Sequence, residues 1–322
     1  MKKNTITRRE LLGLIPAGML TFGMQKELYA AQKEQGAPEL SFGVVTDAQY
    51  GDFETQGVRY YRDSRKKMEE CVNAMNRHTP GFVIHLGDFI DRDFKSFAPM
   101  LSVFQRLQMP AYHVLGNHDF AVDENSKGRI FTALSLDKRG TGKGYYDFLF
   151  GNWRFIVLNG NDVSVIANSK GSEKYEKALA MVEALKRVGA PNAQTWNGAP
   201  GDEQIKWLRE TLARSQQSQE KVILFCHIPV FPKNVHNMFN DDEVLDIIDS
   251  YPNIAAYING HNHAGNYDFR NGVHYLTVKG MVDTKENSYA VIDLYKDSIR
   301  VRGYGREINR ELVISDRAKI PL

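Results

Sequence analysis

The sequence predicts an α/β fold in which two β-sheets pack together and helices cover them on the outside. Strand-like and helical stretches alternate in β-α-β-α-β order from residue 40 to residue 117, which implies parallel strands joined by helical crossovers. The second half returns to buried strands and adds hairpin signals, so a second β-rich layer is expected. Hydrophobic residues make up 42% of the 322-residue chain and charged residues 25%, an ordinary balance for a globular protein with a core of its own.

The first thirty residues stand apart from that core. "MKKNTITRRELLGLIPAGMLTFGM" has a basic start and a short apolar stretch, and the polar "QKELYAAQKEQG" follows. This is the layout of an export signal, too short for a comfortable membrane span. Thr7-Arg8-Arg9-Glu10-Leu11-Leu12 is similar to a twin-arginine signal. A cut near Ala30 implies an exported protein, periplasmic or extracellular, that uses the twin-arginine machinery and keeps no stable membrane span. Residues 1–30 hold five Lys/Arg and two Asp/Glu, so their removal takes the formal net charge from +2 to −1. The basic balance belongs to the signal, and no nucleic-acid partner is expected. Residues 31–39 read as a linker and residues 40–322 as a single domain.

Within that domain, "LSFGVVTD" (40–47) reads as a buried strand and residues 59–78 as a helix. "GFVIHLGD" (81–88) is a strand, residues 94–107 a helix and "PAYHVLGN" (110–117) a third strand. "GYYDFLFGNWRFIVLNG" (144–160) reads as two strands around Gly151-Asn152. Residues 171–189 and 201–216 look helical, and the Pro/Gly-rich "VGAPNAQTWNGAPGD" between them reads as a loop excursion. "KVILFCH" (221–227) and "NIAAYINGH" (253–261) are buried strands, and Asn271-Gly272 and Lys296-Asp297 mark two further hairpins. Cys71 and Cys226 read as buried, inert thiols, with a disulfide left open. His85, His113 and His274 lie within apolar strands and read as core residues; His78 and His236 read as surface positions.

Polar donors recur where the strands end: Asp47 and Gln49, then Asp88 and Asp91, Asn117 and His118, His227, and finally His261 and His263. Open α/β sheets bind ligands at the carboxyl ends of their strands, so these residues are expected to converge. Three carboxylates and four imidazoles in one crevice need a counterweight, and divalent cations supply it. The absence of thiolate argues against a structural zinc site. One ion would not need so many donors; two ions roughly 3.5–4 Å apart, sharing a carboxylate, would. Asp88 is the natural bridge. His261 and His263 can face different ions because alternate residues of an extended segment point opposite ways, provided the backbone leaves the strand between them, an exit Gly260 permits.

The ordered set "DAQ", "GDFIDR", "GNHD", "HIP" and "GHNH" resembles the calcineurin-like metallophosphoesterases, from about residue 40 to about residue 305. "VVTDAQYGD", "RYYRDS", "HLGDFIDR", "HVLGNHDF", "FCHIPVFP" and "GHNHAGNY" are similar to the manganese-dependent ADP-ribose/CDP-alcohol diphosphatases, which also tend to carry glutamine where most of the superfamily has histidine, here Gln49. The resemblance implies a four-layer αββα metallophosphatase sandwich, two mixed β-sheets flanked by helices. It implies one ion held by Asp47, Gln49, Asp88 and His263, and a second held by Asp88, Asn117, His227 and His261. The amide Gln49 favours harder ions, manganese first, with iron, zinc or magnesium as alternatives.

His118 resembles the family histidine that contacts the phosphoryl group or protonates the leaving oxygen. Asp91 either orients His118 or caps the helix starting near residue 94. Arg59, Arg62 and Arg92 are candidates for the second phosphate, and "RYYRDS" singles out Arg59 and Arg62. The expected activity is two-metal hydrolysis of a phosphoric anhydride or phosphodiester, with a nucleoside diphosphate derivative as substrate. A general phosphodiesterase or phosphomonoesterase of the same fold, and an exported metal-binding protein without activity, are the alternatives.

Overall fold

A computed structural model of the protein describes residues 36–314. The expected export signal, and the linker up to residue 35, lie outside the described residues. Fourteen strands are described: β1 (Leu40–Val45), β2 (Phe82–His85), β3 (Ala111–His113), β4 (Tyr146–Phe150), β5 (Trp153–Val157), β6 (Val163–Ser164), β7 (Gly198–Ala199), β8 (Lys221–Phe225), β9 (Ile254–Asn259), β10 (Asn266–Arg270), β11 (Val273–Thr277), β12 (Ser288–Leu294), β13 (Ser298–Gly305) and β14 (Arg310–Val313). They build two six-stranded mixed sheets, ordered β14-β13-β12-β1-β2-β3 and β10-β11-β9-β8-β5-β4, and a small β6–β7 pair. In the first sheet β1, β2 and β3 run parallel and β12 pairs antiparallel to β1. In the second, β5, β8, β9 and β11 are parallel neighbours, and the hairpin partners β4 and β10 close the two edges antiparallel.

Strand residues alternate between two covered faces. Phe42 and Phe82 of the first sheet stack with ring centroids 5.0 Å apart. Phe155 of the second sheet lies 4.9 Å from Phe82 and 5.5 Å from Phe42, and Phe225 lies 5.7 Å from Phe42. These rings are fully buried and form the seam between the sheets. The next residue, Gly43, faces the opposite way, toward Met75 of the helix Asp63–His78. That helix buries Met68, Cys71, Val72 and Met75 on the first sheet. Helices Asp202–Gln217 and Asp241–Ser250 bury Leu208, Leu212, Val244 and Ile248 in a cluster with Leu158, Leu224 and Tyr257 of the second sheet region. The result is four layers, helix, sheet, sheet and helix. Phe155→Ala should destabilise the fold by about 3–5 kcal/mol in a denaturant titration, because it empties the seam where rings from both sheets meet.

Several details depart from the sequence expectation. The first helix begins at Asp63, four residues after its expected start. Gln56 and Arg59 exchange backbone hydrogen bonds, and Tyr60 N–H donates to the Val282 carbonyl, so this segment is committed to extended pairing and is unavailable to a helix. The helix Asp241–Ser250 and the strand β14 were not anticipated. The Pro/Gly-rich loop contains β7, which pairs with β6. Cys71 and Cys226 are buried free thiols, and burial raises both thiol pKa values. No helix among the described residues is long and apolar enough to cross a membrane.

Candidate metal centre

The donors named from the sequence sit just past the C-terminal ends of β1, β2, β3, β8 and β9, and backbone hydrogen bonds tie these segments to one another. Asp47 N–H donates to the Gly87 carbonyl, Gln49 N–H to the Asp88 carbonyl and Gly260 N–H to the His227 carbonyl. Four of the seven donor residues take left-handed backbone angles: Asp47 (φ 50°), Gln49 (41°), Asp88 (57°) and His261 (69°). Such angles cost non-glycine residues on the order of 1–3 kcal/mol each and cluster where function demands them. Glycine serves here by close approach. A Cβ on Gly260 would lie 2.0 Å from Thr46 Oγ1 and 2.6 Å from Asp47 Oδ2; one on Gly116 would lie 2.1 Å from the Asp88 backbone nitrogen and from Asp88 Oδ1. The turn out of β9 is therefore made by His261, and Gly260 lets β9 approach Asp47.

Side chains from these segments form two groups whose donor atoms lie within 4.8 Å of one another: Asp88, His227 and His261, and Asp47, Asp88 and His263. Asp88 belongs to both. His261 and His263 fall into different groups. Gln49 Nε2 lies 3.0 Å from Asp88 Oδ2 and 3.1 Å from His263 Nε2. Asp88 Oδ1 accepts from the backbone N–H of His118 at 2.7 Å, which fixes the carboxylate beside Asn117 and His118.

These donors fit divalent cations because of what they lack. Asp47 Oδ1, Gln49 Oε1 and Asn117 Oδ1 are buried oxygens with no hydrogen-bond partner. Orphaned oxygens of this kind are costly unless something positive meets them. His227 Nε2 and His261 Nδ1 face each other at 3.2 Å. The donors are oxygen and nitrogen, with neither cysteine in either group, a set suited to hard or borderline divalent ions. The ionisation balance agrees. Burial works against a charged His227, but Asp88 and Asp47 overrule it and lift its pKa to about 9. His263, likewise opposed by burial, is lifted to about 9 by Asp47 and Asp283. Burial disfavours the Asp88 carboxylate too, yet the surrounding imidazoles, His227 foremost, hold its pKa well below the usual range. The carboxylates thus demand positive charge at the two places where the donor groups converge.

His118 Nδ1 lies 2.8 Å from Asp91 Oδ1, and His118 Nε2 lies 4.0 Å from Asp88 Oδ2. Burial lowers the His118 pKa, but Asp88 and Asp91 outweigh it and raise it overall. Asp91 thus stands beside His118; the cap on the turn Phe94–Ser96 comes from Asp93, whose side chain accepts from the Lys95 N–H. A cleft of about 350 Å³ opens over the donors, its wall including Arg59, His118, Trp196 and His236. Arg62 lies outside the lining of this cleft: its guanidinium is exposed and paired with Asp52 and Glu54. Arg92 packs over Phe53 and Tyr61 and donates to Asp91.

Several residues here escaped the sequence reading. Asp119 accepts from the backbone N–H groups of Asp88, Phe89, Ile90 and Gly116, bracing the loop that carries Asp88. Its place in "GNHD" was the available signal. Asp283 accepts from His263 Nδ1 at 2.9 Å, and Asn197 lies 2.9 Å from His261 Nε2; neither stands in a motif. His236, expected at the surface, is half-buried, with its ring edge-on to His261 at 5.5 Å. His85, His113 and His274 are buried, as core residues should be.

Comparison with known proteins agrees with this geometry. A protein from Danio rerio described as a dimetal phosphatase superposes with a TM-score of 0.77 at 25% identity, covering 86% of this chain and 100% of its own. The "Manganese-dependent ADP-ribose/CDP-alcohol diphosphatase" of Mus musculus is 29% identical over 85% of this chain and 93% of its own length. The protein of the same name from Arabidopsis thaliana is 28% identical over 84% and 95%. The calcineurin-like phosphoesterase pattern matches residues 40–265, a span that contains every donor from Asp47 to His263, and on that match the chain belongs to the calcineurin-like phosphoesterase family.

Proposed function

We propose that this phosphoesterase hydrolyses the phosphoric anhydride of a nucleoside diphosphate derivative such as ADP-ribose or a CDP-alcohol, giving a nucleoside monophosphate and a phosphorylated sugar or alcohol, with two divalent ions, manganese first. The observation that carries the reading is the pair of donor groups sharing Asp88, with three orphaned oxygens beside them, at the floor of a cleft that also holds His118 and Arg59. The manganese and the substrate class rest on similarity along most of the chain to proteins named for both.

Asp47, Gln49, Asp88 and His263 would hold one ion, and Asp88, Asn117, His227 and His261 the other. When bound, such a pair activates water near neutral pH and neutralises phosphoryl charge. The rest falls to the chain's own side chains. His118, its Nδ1 proton engaged by Asp91, presents Nε2 to the cleft and donates a proton to the departing oxygen. Asp91 keeps that ring oriented. Arg59, half-buried in the cleft wall, meets the second phosphate.

The test is a substrate panel on metal-defined protein: ADP-ribose, CDP-alcohols, cyclic nucleotides, phosphomonoesters and a bis-aryl phosphate. The diphosphates should be cleaved fastest with manganese, and chelator should abolish turnover. Preference for a monoester or a cyclic nucleotide would overturn the substrate class.

The chain is proposed to act outside the cytoplasm, exported through the twin-arginine route by the segment around Arg8 and Arg9. Folded, active protein should accumulate inside cells when Arg8→Lys and Arg9→Lys are combined. Export of the double variant at the wild-type level would refute the route.

A further inference from the structure

His227 has one available tautomer. Its Nδ1 lies 2.8 Å from the Leu86 carbonyl, which can only accept, so Nδ1 carries a proton and Nε2 is the atom offered to the site. His261 has a choice. With its proton on Nδ1 it would donate to His227 Nε2, 3.2 Å away, and the two rings would close on each other. With its proton on Nε2, Nδ1 stays an acceptor and, together with His227 Nε2, faces a space that a cation can fill.

The amide of Asn197 bears on that choice. Its Nδ2 donates to the Asn192 carbonyl at 3.1 Å and to the Val235 carbonyl at 2.9 Å, so both amide hydrogens are engaged. Oδ1 is left as an acceptor only, 2.9 Å from His261 Nε2. Asn197 is fully buried, so water does not compete for these bonds.

We infer that Asn197 is a positioning residue: it holds His261 in the Nε2–H tautomer, keeps Nδ1 free as a metal donor, and prevents the His227–His261 bond that would close the site. This rests on the two-ion reading of the site and adds to it a residue from the Pro/Gly-rich loop. Residues that orient a ligating histidine typically change metal affinity about 10–100-fold when removed.

Two variants and three readouts test it, and none of the readouts needs a substrate. In Asn197→Leu the acceptor is gone. Manganese titration by calorimetry should show one of two ions weakened ~10–100-fold, the other unchanged. In Asn197→Asp the acceptor stays and both donors are lost, so the melting temperature should fall while both ions keep near wild-type affinity. ¹⁵N-histidine NMR of the metal-free wild type, taken above the pKa of about 9 so that His227 is neutral, should find the His261 proton on Nε2, moving to Nδ1 in Asn197→Leu. A wild-type His261 with its proton on Nδ1, or affinities that fall with stability alike in both variants, would overturn the inference. Absence of turnover on every diphosphate would instead strike the proposed function and leave this result standing.

Discussion

Asp88→Asn should remove bound metal and lower turnover by on the order of 10³-fold or more, since losing several kcal/mol of transition-state charge stabilisation corresponds to that factor. Asp88 is the one side chain common to both donor groups, and His227 and His118 both lie within 4.0 Å of its Oδ2. Asparagine has the same shape and can still accept from the His118 backbone N–H, so the loop around it should survive. What disappears is the charge. Without it the imidazoles lose their main anionic partner and the site loses the oxygen that both ions would share. Metal analysis of the purified variant, beside circular dichroism to establish folding, provides the check. Two ions retained with full turnover would show that Asp88 is not the shared ligand.

His118→Ala should cost ~10²–10⁴-fold in turnover on a diphosphate, the usual worth of general acid assistance. Metal content should stay at the wild-type level, because His118 touches the donor groups through its backbone N–H, which alanine keeps. The deficit should depend on the leaving group. A nitrophenyl phosphodiester, whose oxygen leaves without a proton, should lose far less activity than a cyclic nucleotide or dialkyl phosphodiester, whose alkoxide cannot leave without one. Asp91→Asn should act in the same direction and more weakly, since Asp91 reaches substrate only through the His118 ring. An equal deficit on both leaving groups would assign His118 to phosphate binding and not to proton transfer.

The seven donors were legible because each carries a local mark: a polar residue of metal-binding type directly after an apolar strand. The parallel crossovers bring those strand ends to one edge whatever the details of the helices between them. Asp91 was legible as a candidate but not in its role, because a carboxylate three residues after Asp88 fits a helix cap as well as a histidine partner. The neighbouring Asp93 took the cap. Arg62 was legible as a candidate in the same limited way. An arginine in a matching motif carries no sign of which carboxylates it will meet, and here Asp52 and Glu54 of the nearby loop claim it. The late start of the first helix was hidden because the competing partner of Tyr60, the Val282 carbonyl, lies more than two hundred residues away.

Sequence by itself determined the layered α/β class, the order of the strands and the identity of the residues that gather at their ends, since apolar period and donor type are properties of short stretches. Only the tertiary structure decided which nitrogen of each histidine is offered and what walls the cleft. Those outcomes depend on Asn197, Asp283 and His236, packed within 3 to 6 Å of the donors, and on Trp196 in the cleft wall, ordinary residues in their own neighbourhoods that become partners only when segments tens of residues apart in the chain meet. Local pattern cannot encode such contacts, because a hydrogen bond is set by distance in space and leaves no period in the chain.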